Sequence, residues 1–180
     1  MNLMLALLRL YTPTWLKKRQ LAELFECTAV AFGAEAPASA GLSFDELLLE
    51  YARFTAAQAE AAIRRGDDPE GLRDRLHRNA YQLGRKLRKR LRVSGAEEAM
   101  AATRILYRAL RIELRGPTEG EIEVGRCFFS RFYSSQVCEV VSALDAGVVA
   151  GLSDGGRLTF CQRITEGHDR CRASFEEGTR

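Results

Sequence analysis

Proline is scarce in this chain, with 4 residues, and glycine, at 15, is close to ordinary usage. Collagen-like repeats and Pro/Gly-rich disorder are therefore not expected. No apolar run approaches the ~20 residues that span a bilayer, so an integral membrane protein is not expected either. The apolar start, Leu3 to Leu8, has no basic residue ahead of it and no small-residue cleavage site behind it. It reads as a helix of the mature chain rather than a secretory signal. The 5 cysteines are an odd number and contain no C-x-x-C pair. That pattern does not suit a secreted disulfide framework or a zinc finger, and it points to thiols in a reducing cytoplasm. Phosphate-binding glycine loops and the G-x-S-x-G nucleophile elbow are also missing, so nucleotide-dependent and serine-hydrolase chemistry have no support.

What is present is globular. The chain has 180 residues, 46% hydrophobic and 28% charged, which suits one domain or a small domain with an extension. A net charge of +3 is too small to imply nucleic acid as a partner. The charge is concentrated, however, in Arg64 to Arg92, and is densest from Arg85 to Arg92. Leu76, Ala80, Leu83, Leu87 and Leu91 recur at helical spacing through that stretch. The favoured reading is a core-packed helix with a solvated basic face, and docking of an acidic partner on that face is the alternative.

The first 110 or so residues read as helical. Trp15 to Phe32 is followed by Gly33 as a stop, and a loop runs from Ala34 to Gly41. Ser43 and Glu46 form a Ser-x-x-Glu capping box for a helix ending at Gly66. Pro69 opens the next helix, which should reach about Val93, and Ala96 to Leu110 forms another. The pattern then changes. Arg115 to Gly120 is turn chemistry, and Glu121 to Val124 alternates like a strand. Ser134 or Ser135 caps a helix to about Leu152, and strands are expected over Arg157 to Ile164 and Arg170 to Glu176. The expected fold is α+β: a helical N-terminal portion, residues 1–110, packed with a C-terminal antiparallel β-α-β-β unit, residues 111–180. In that unit the stripe Val137, Val141, Leu144 and Val148 should lie on the sheet.

The same helix carries Cys138, Ser142 and Asp145 at i, i+4 and i+7, rotated by roughly 100° from that stripe. A thiol, a hydroxyl and a carboxylate at a core edge either line a pocket or simply pack, and spacing alone favours packing. At the start of the helix, the dipole should lower the Cys138 pKa. His168 falls in the hairpin turn and reads as an exposed turn residue, with metal ligation as the alternative.

Four segments together, Cys127 to Tyr133, Cys138 to Asp145, Leu158 to Phe160 and Thr165 to Cys171, resemble the L-2-amino-thiazoline-4-carboxylic acid hydrolase family. The family pattern has a cysteine opening a short segment, a cysteine-to-aspartate helix, a strand ending in an aromatic and a Gly-Asp-x-x-Cys-like hairpin. Here these fall at Cys127, Cys138 with Asp145, Phe160, and Gly167 with Cys171. Ser142 stands where many members have a further cysteine. The resemblance covers about 50 residues and extends to the related four-vinyl-reductase small-molecule domains. It implies hydrolysis of a cyclic amidine-like C–N bond, with Cys138 and Asp145 catalytic and Arg131, Ser142 and Arg163 binding the substrate. The alternative it implies is a non-enzymatic sensory module that binds a small molecule or a metal. In that reading Cys138, Cys161 and Cys171 would hold a divalent metal such as zinc, and the N-terminal helices would form a homodimer.

Overall fold

A computed structural model describes residues 2–38, 40–117 and 120–178. Met1, Ser39 of the expected loop, and Thr118 and Glu119 of the expected turn lie outside the described residues. The helices are α1 (Leu3–Leu10), α2 (Thr14–Phe32), α3 (Phe44–Arg65), α4 (Pro69–Leu91), α5 (Gly95–Ala109) and α6 (Ser135–Ser153). The strands are β1 (Ile112–Arg115), β2 (Gly120–Cys127), β3 (Arg157–Gln162) and β4 (Cys171–Glu176). The fold is α+β, with the helices mainly N-terminal and one antiparallel sheet at the C-terminal end.

Helix boundaries follow local chemistry. The Ser43 hydroxyl accepts the Glu46 amide at 3.2 Å while the Glu46 carboxylate accepts the Ser43 amide at 2.7 Å. This reciprocal pairing satisfies two otherwise unpartnered donors at the start of α3. Asp68 caps α4 by accepting from the Glu70 and Gly71 amides. Gly33 and Gly66 end α2 and α3 with φ of 68° and 73°, where a side chain would be strained. The Ser134 hydroxyl accepts the Val137 amide at 3.2 Å and starts α6.

The sheet order is β1-β2-β4-β3, antiparallel throughout. The C-terminal unit is thus ββαββ rather than β-α-β-β. The added strand, β1, has only 4 residues and carries an irregularity between Glu113 and Leu114. It continues the apolar pattern of α5 with too short an alternation to stand apart from a helix tail.

The position of α6 also departs from expectation. Val137, Val141 and Leu144 pack against Ala31, Ala59, Ala62, Leu72, Leu76 and Ala80 of the helices, not against the sheet. The sheet is met by other residues of α6, with Val149 and Ala146 joining Leu158, Ala173 and Phe175. By length and composition α6 is apolar enough to cross a membrane, yet here it is the central helix, enclosed by α3, α4, α5 and β3.

Glycines allow this arrangement. A Cβ on Gly147 would collide with the His77 carbonyl oxygen and come within 2.8 Å of the Ala80 Cβ. One on Gly151 would collide with the Tyr81 carbonyl oxygen and stand 2.7 Å from the Arg85 nitrogen. One on Gly84 would collide with the Val148 carbonyl oxygen and stand 2.9 Å from the Gly151 Cα. The obstacles are backbone, which cannot rotate away, so α4 and α6 are in direct main-chain contact. The Leu76, Ala80, Leu83, Leu87 and Leu91 stripe of α4 is buried, and Arg90 forks onto Glu23 of α2 with two hydrogen bonds of 3.0 Å. Alanine favours a helix interior over glycine by about 1 kcal/mol. Gly147→Ala and Gly151→Ala are nevertheless expected to lower stability in urea denaturation by about 2–4 kcal/mol, as overpacking does. A neutral or stabilising result would contradict the close contact.

Candidate functional site

The site begins where β3 stops alternating. Pairing between β3 and β4 shifts register between Phe160 and Gln162, leaving Cys161 as the extra residue. Such a bulge re-aims the side chains that follow it. The chain then turns through a short 3-10 segment, Ile164–Glu166. Arg163, Ile164 and Thr165 consequently all line one cavity, which a regular strand would not permit.

That cavity has a volume of about 130 Å³ and is bounded by α6, the inner face of the sheet and the N-terminal helices. Its wall is mostly apolar, with contributions from Leu21, Leu24, Ile112, Val124, Val141 and Phe160. An aromatic row runs beside it: Tyr51 meets Phe129 edge-on at 5.9 Å, and Phe129 stacks on Tyr133 at 5.6 Å. The wall tyrosines are held by their hydroxyls. Tyr51 pairs with Thr28 at 3.1 Å, Tyr133 with Thr55 at 2.5 Å, and Tyr107 donates to Asp145 Oδ1 at 2.7 Å.

Of the residues singled out in the sequence, Cys127, Cys138, Ser142, Asp145, Arg163 and Cys171 line this cavity. Two do not. Arg131 is exposed and lies over the Phe128 ring at 5.2 Å, away from the cavity wall. Cys161 is exposed, with its thiol 3.5 Å from the Arg172 carbonyl oxygen. The expected metal set Cys138, Cys161 and Cys171 is therefore not assembled, because the bulge turns Cys161 outward while Cys171 faces the core. Among the described residues no three His, Cys, Asp or Glu side chains converge to hold a metal. His168 is exposed in its turn.

Asp145 keeps some accessible surface, but as a cavity-lining residue enclosed by core it shows that surface to the cavity rather than to bulk water. Burial pushes its carboxyl up to about 6, against the opposing effect of the Tyr107 hydrogen bond. The thiols move the same way. Burial raises Cys127 to about 12, and it also raises Cys138 and Cys171. At Cys138 the nearby Thr165 hydroxyl and Arg163 guanidinium pull downward without reversing the effect. The Cys138 thiol is thus raised where the helix start was expected to lower it, and removal from water is the largest cause.

Three buried side-chain polar atoms among the described residues have no nitrogen or oxygen partner in the protein: Gln20 Oε1, Arg163 Nε and Thr165 Oγ1, the last with only the Cys138 thiol beside it. All three residues line this cavity. Arg163 is otherwise committed, pairing with Glu166 at 3.2 Å and reaching the Ser142 hydroxyl at 3.5 Å. Sequence reasoning missed Gln20, Tyr51, Tyr107 and Thr165. The first three come from helices far away in the chain and carry no local signal. Thr165 lay within the family-like hairpin but matched no motif position.

Folded Asp145 keeps its proton to a higher pH than an unfolded aspartate at about 3.9. The native state therefore binds more protons between about pH 4 and 6, and its stability falls across that window as pH rises. Asp145→Asn, which can still accept from Tyr107, is expected to be more stable than the parent at pH 7.5 by about 1–3 kcal/mol, with the gap closing towards pH 4. Urea titrations at several pH values measure this, and a pH-independent difference would contradict it. In the native protein a maleimide is expected to modify Cys161 quickly and Cys138, Cys127 and Cys171 slowly, with mass spectrometry of the digested protein locating the label. Rapid labelling of Cys138 would mean that its thiolate is accessible.

No family model matches the chain, and no curated protein matches it. Among solved structures, trafficking protein particle complex subunit 3 from Naegleria fowleri, crystallised covalently bound to palmitic acid, is similar at a TM-score of 0.47 and 10% identity. The match covers 72% of this chain and 97% of that one. A likeness of this degree says nothing about a shared ligand or partner.

Proposed function

We propose that this protein is a small-molecule-binding module whose cavity takes a largely apolar compound about the size of a single ring. The observation that carries this reading is that three residues with a buried polar atom lacking a nitrogen or oxygen partner, Gln20, Arg163 and Thr165, all line one apolar cavity. Each such atom costs about 1–3 kcal/mol unless something pairs with it. A ligand with an apolar body, a donor for Gln20 Oε1 and an acceptor for Arg163 and Thr165 would remove that cost. The size follows from the volume, since an apolar cavity of ~150 Å³ admits a benzene-sized guest. A perturbed carboxylate in the same pocket is a further mark of a functional site.

The second reading is the hydrolase implied by the family resemblance. It is favoured by Asp145, whose carboxyl at about 6 suits general acid–base work near neutral pH. In that reading Asp145 activates water against the C–N bond. Cys138, with its thiol raised, serves as a protonated neighbour rather than a nucleophile in the resting state.

Both readings meet in one experiment. The purified chain is melted with single-ring carboxylates, phenols and 2-amino-thiazoline-4-carboxylate, and ring opening of the last is followed by its absorbance. Binding at about a hundredfold over Kd should stabilise the fold by about 2.7 kcal/mol. Ring compounds that carry an acceptor should raise the Tm and their apolar analogues should raise it less. Turnover that is lost in Asp145→Asn would favour the hydrolase. If no compound shifts the Tm, the binding reading fails.

A further inference from the structure

Helix α1 carries a feature of a different kind. In α1, Leu3, Leu7 and Leu10 are 69%, 58% and 84% exposed. At ~100° per residue they fall within roughly 60° of arc, on the side away from buried Leu5. Tyr11 and Trp15 extend the exposed apolar surface at 70% and 65%. Monomeric soluble proteins rarely leave so many large apolar side chains together in water unless they contact something.

The helix is fastened to the body at both ends, so its outward face is a fixed surface. The Asn2 side chain donates to the carbonyl oxygens of Leu91 and Arg92 at 2.8 and 3.0 Å. Arg108 donates to the carbonyl oxygens of Arg9 and Leu8 at 2.6 and 2.9 Å. Leu5 is packed into the cluster formed with Leu83, Leu87 and Leu91.

Charge decides what covers this face. From residue 2 to residue 22 there is no Asp or Glu, while Arg9, Lys17, Lys18 and Arg19 are present; of these, Arg19 pairs with Glu23 at 3.2 Å and Lys18 donates to the Leu42 carbonyl oxygen. Arg9 and Arg92 are exposed and make no ion pair among the described residues. The acid near the start of α1, Glu98, accepts from the Ser94 amide at 2.8 Å and hydroxyl at 3.0 Å, stays ionised, and stands beside Arg92, which offsets its charge. A second copy docking by a two-fold axis would set this acid-free, basic segment against itself. An anionic surface would complement it instead.

We propose that α1 and the start of α2 form a peripheral docking face for a bilayer surface rich in anionic phospholipid. Leu3, Leu7 and Leu10 enter the acyl boundary, Tyr11 and Trp15 sit at headgroup level, and the surrounding cations meet phosphates. The face lies on the membrane and does not span it.

Trp15 is the chain's single tryptophan and reports on its own contact. Protein is titrated with vesicles of phosphatidylglycerol and phosphatidylcholine in equal parts, and with vesicles of phosphatidylcholine alone. Trp15 emission and co-sedimentation are followed. Expected are a blue shift and sedimentation with the mixed vesicles, both weakened at ~0.5 M salt relative to ~0.1 M. A Leu7→Glu, Leu10→Glu variant, with an unchanged thermal melt, should bind about tenfold or more weakly. Any of three outcomes overturns the proposal: mixed vesicles fail to bind the protein, they bind this variant equally well, or the blue shift develops without lipid as protein concentration rises and a dimer forms in sedimentation equilibrium.

Discussion

The backbone contact between α4 and α6 is the constraint on which the rest of the structure depends. With Gly84 on one helix and Gly147 and Gly151 on the other, the two main chains approach until a single methyl would collide with a carbonyl. A helix brought this close cannot present a broad apolar face to the sheet alone. The residues of α6 divide instead, with Val137, Val141 and Leu144 turned to the helical layer and Val149 to the sheet. The edge left over, holding Cys138, Ser142 and Asp145, looks into the space that neither layer fills. The cavity is thus a by-product of how one central helix is shared between two layers.

What lines that space is poorly suited to stability alone. A carboxyl raised to about 6, a glutamine oxygen without a donor, an arginine nitrogen without an acceptor and a threonine hydroxyl with only a thiol beside it all belong to residues that line one apolar cavity. A core optimised for folding would replace such groups by hydrocarbon of the same shape. Their gathering in one place is the physical case for a ligand, since natural cores keep buried polar groups paired elsewhere. Thr28, Thr55 and Thr103 illustrate the ordinary solution here: each is buried, and each donates to a carbonyl one turn back.

Much of the fold was legible in the sequence because its boundaries are set by local chemistry. Ser43 with Glu46, Gly33, Gly66, Pro69 and Ser134 each act within one turn of chain, and the helices they bound lie where the pattern puts them. The failures are tertiary. The short β1 is a strand because β2 is beside it, and the partner of the α6 stripe was decided by glycine contacts invisible to hydrophobic periodicity. Regular strand alternation would put Arg163 and Ile164 on opposite faces, and the bulge at Cys161 brings both to one cavity. At the site, the seven-residue spacing of Cys138 and Asp145 correctly placed them on one helix edge. The thiol's electrostatics were misjudged, because burial depth is not written in a helix-start motif. Gln20 and Tyr107 reach the site from distant helices and left no trace in any local pattern.

The most direct measurement is the stability and ligand response of Gln20→Met, which keeps the side chain's length and removes its unpaired oxygen. If that oxygen is held in reserve for a ligand, the substituted protein should unfold at higher urea than the parent, by about 1–3 kcal/mol. The compound that most raises the parent's Tm should then raise the variant's Tm less. A Gln20→Met protein that is less stable than the parent, or that responds to the compound equally, would show that the oxygen is satisfied within the fold and that the cavity is only a packing defect.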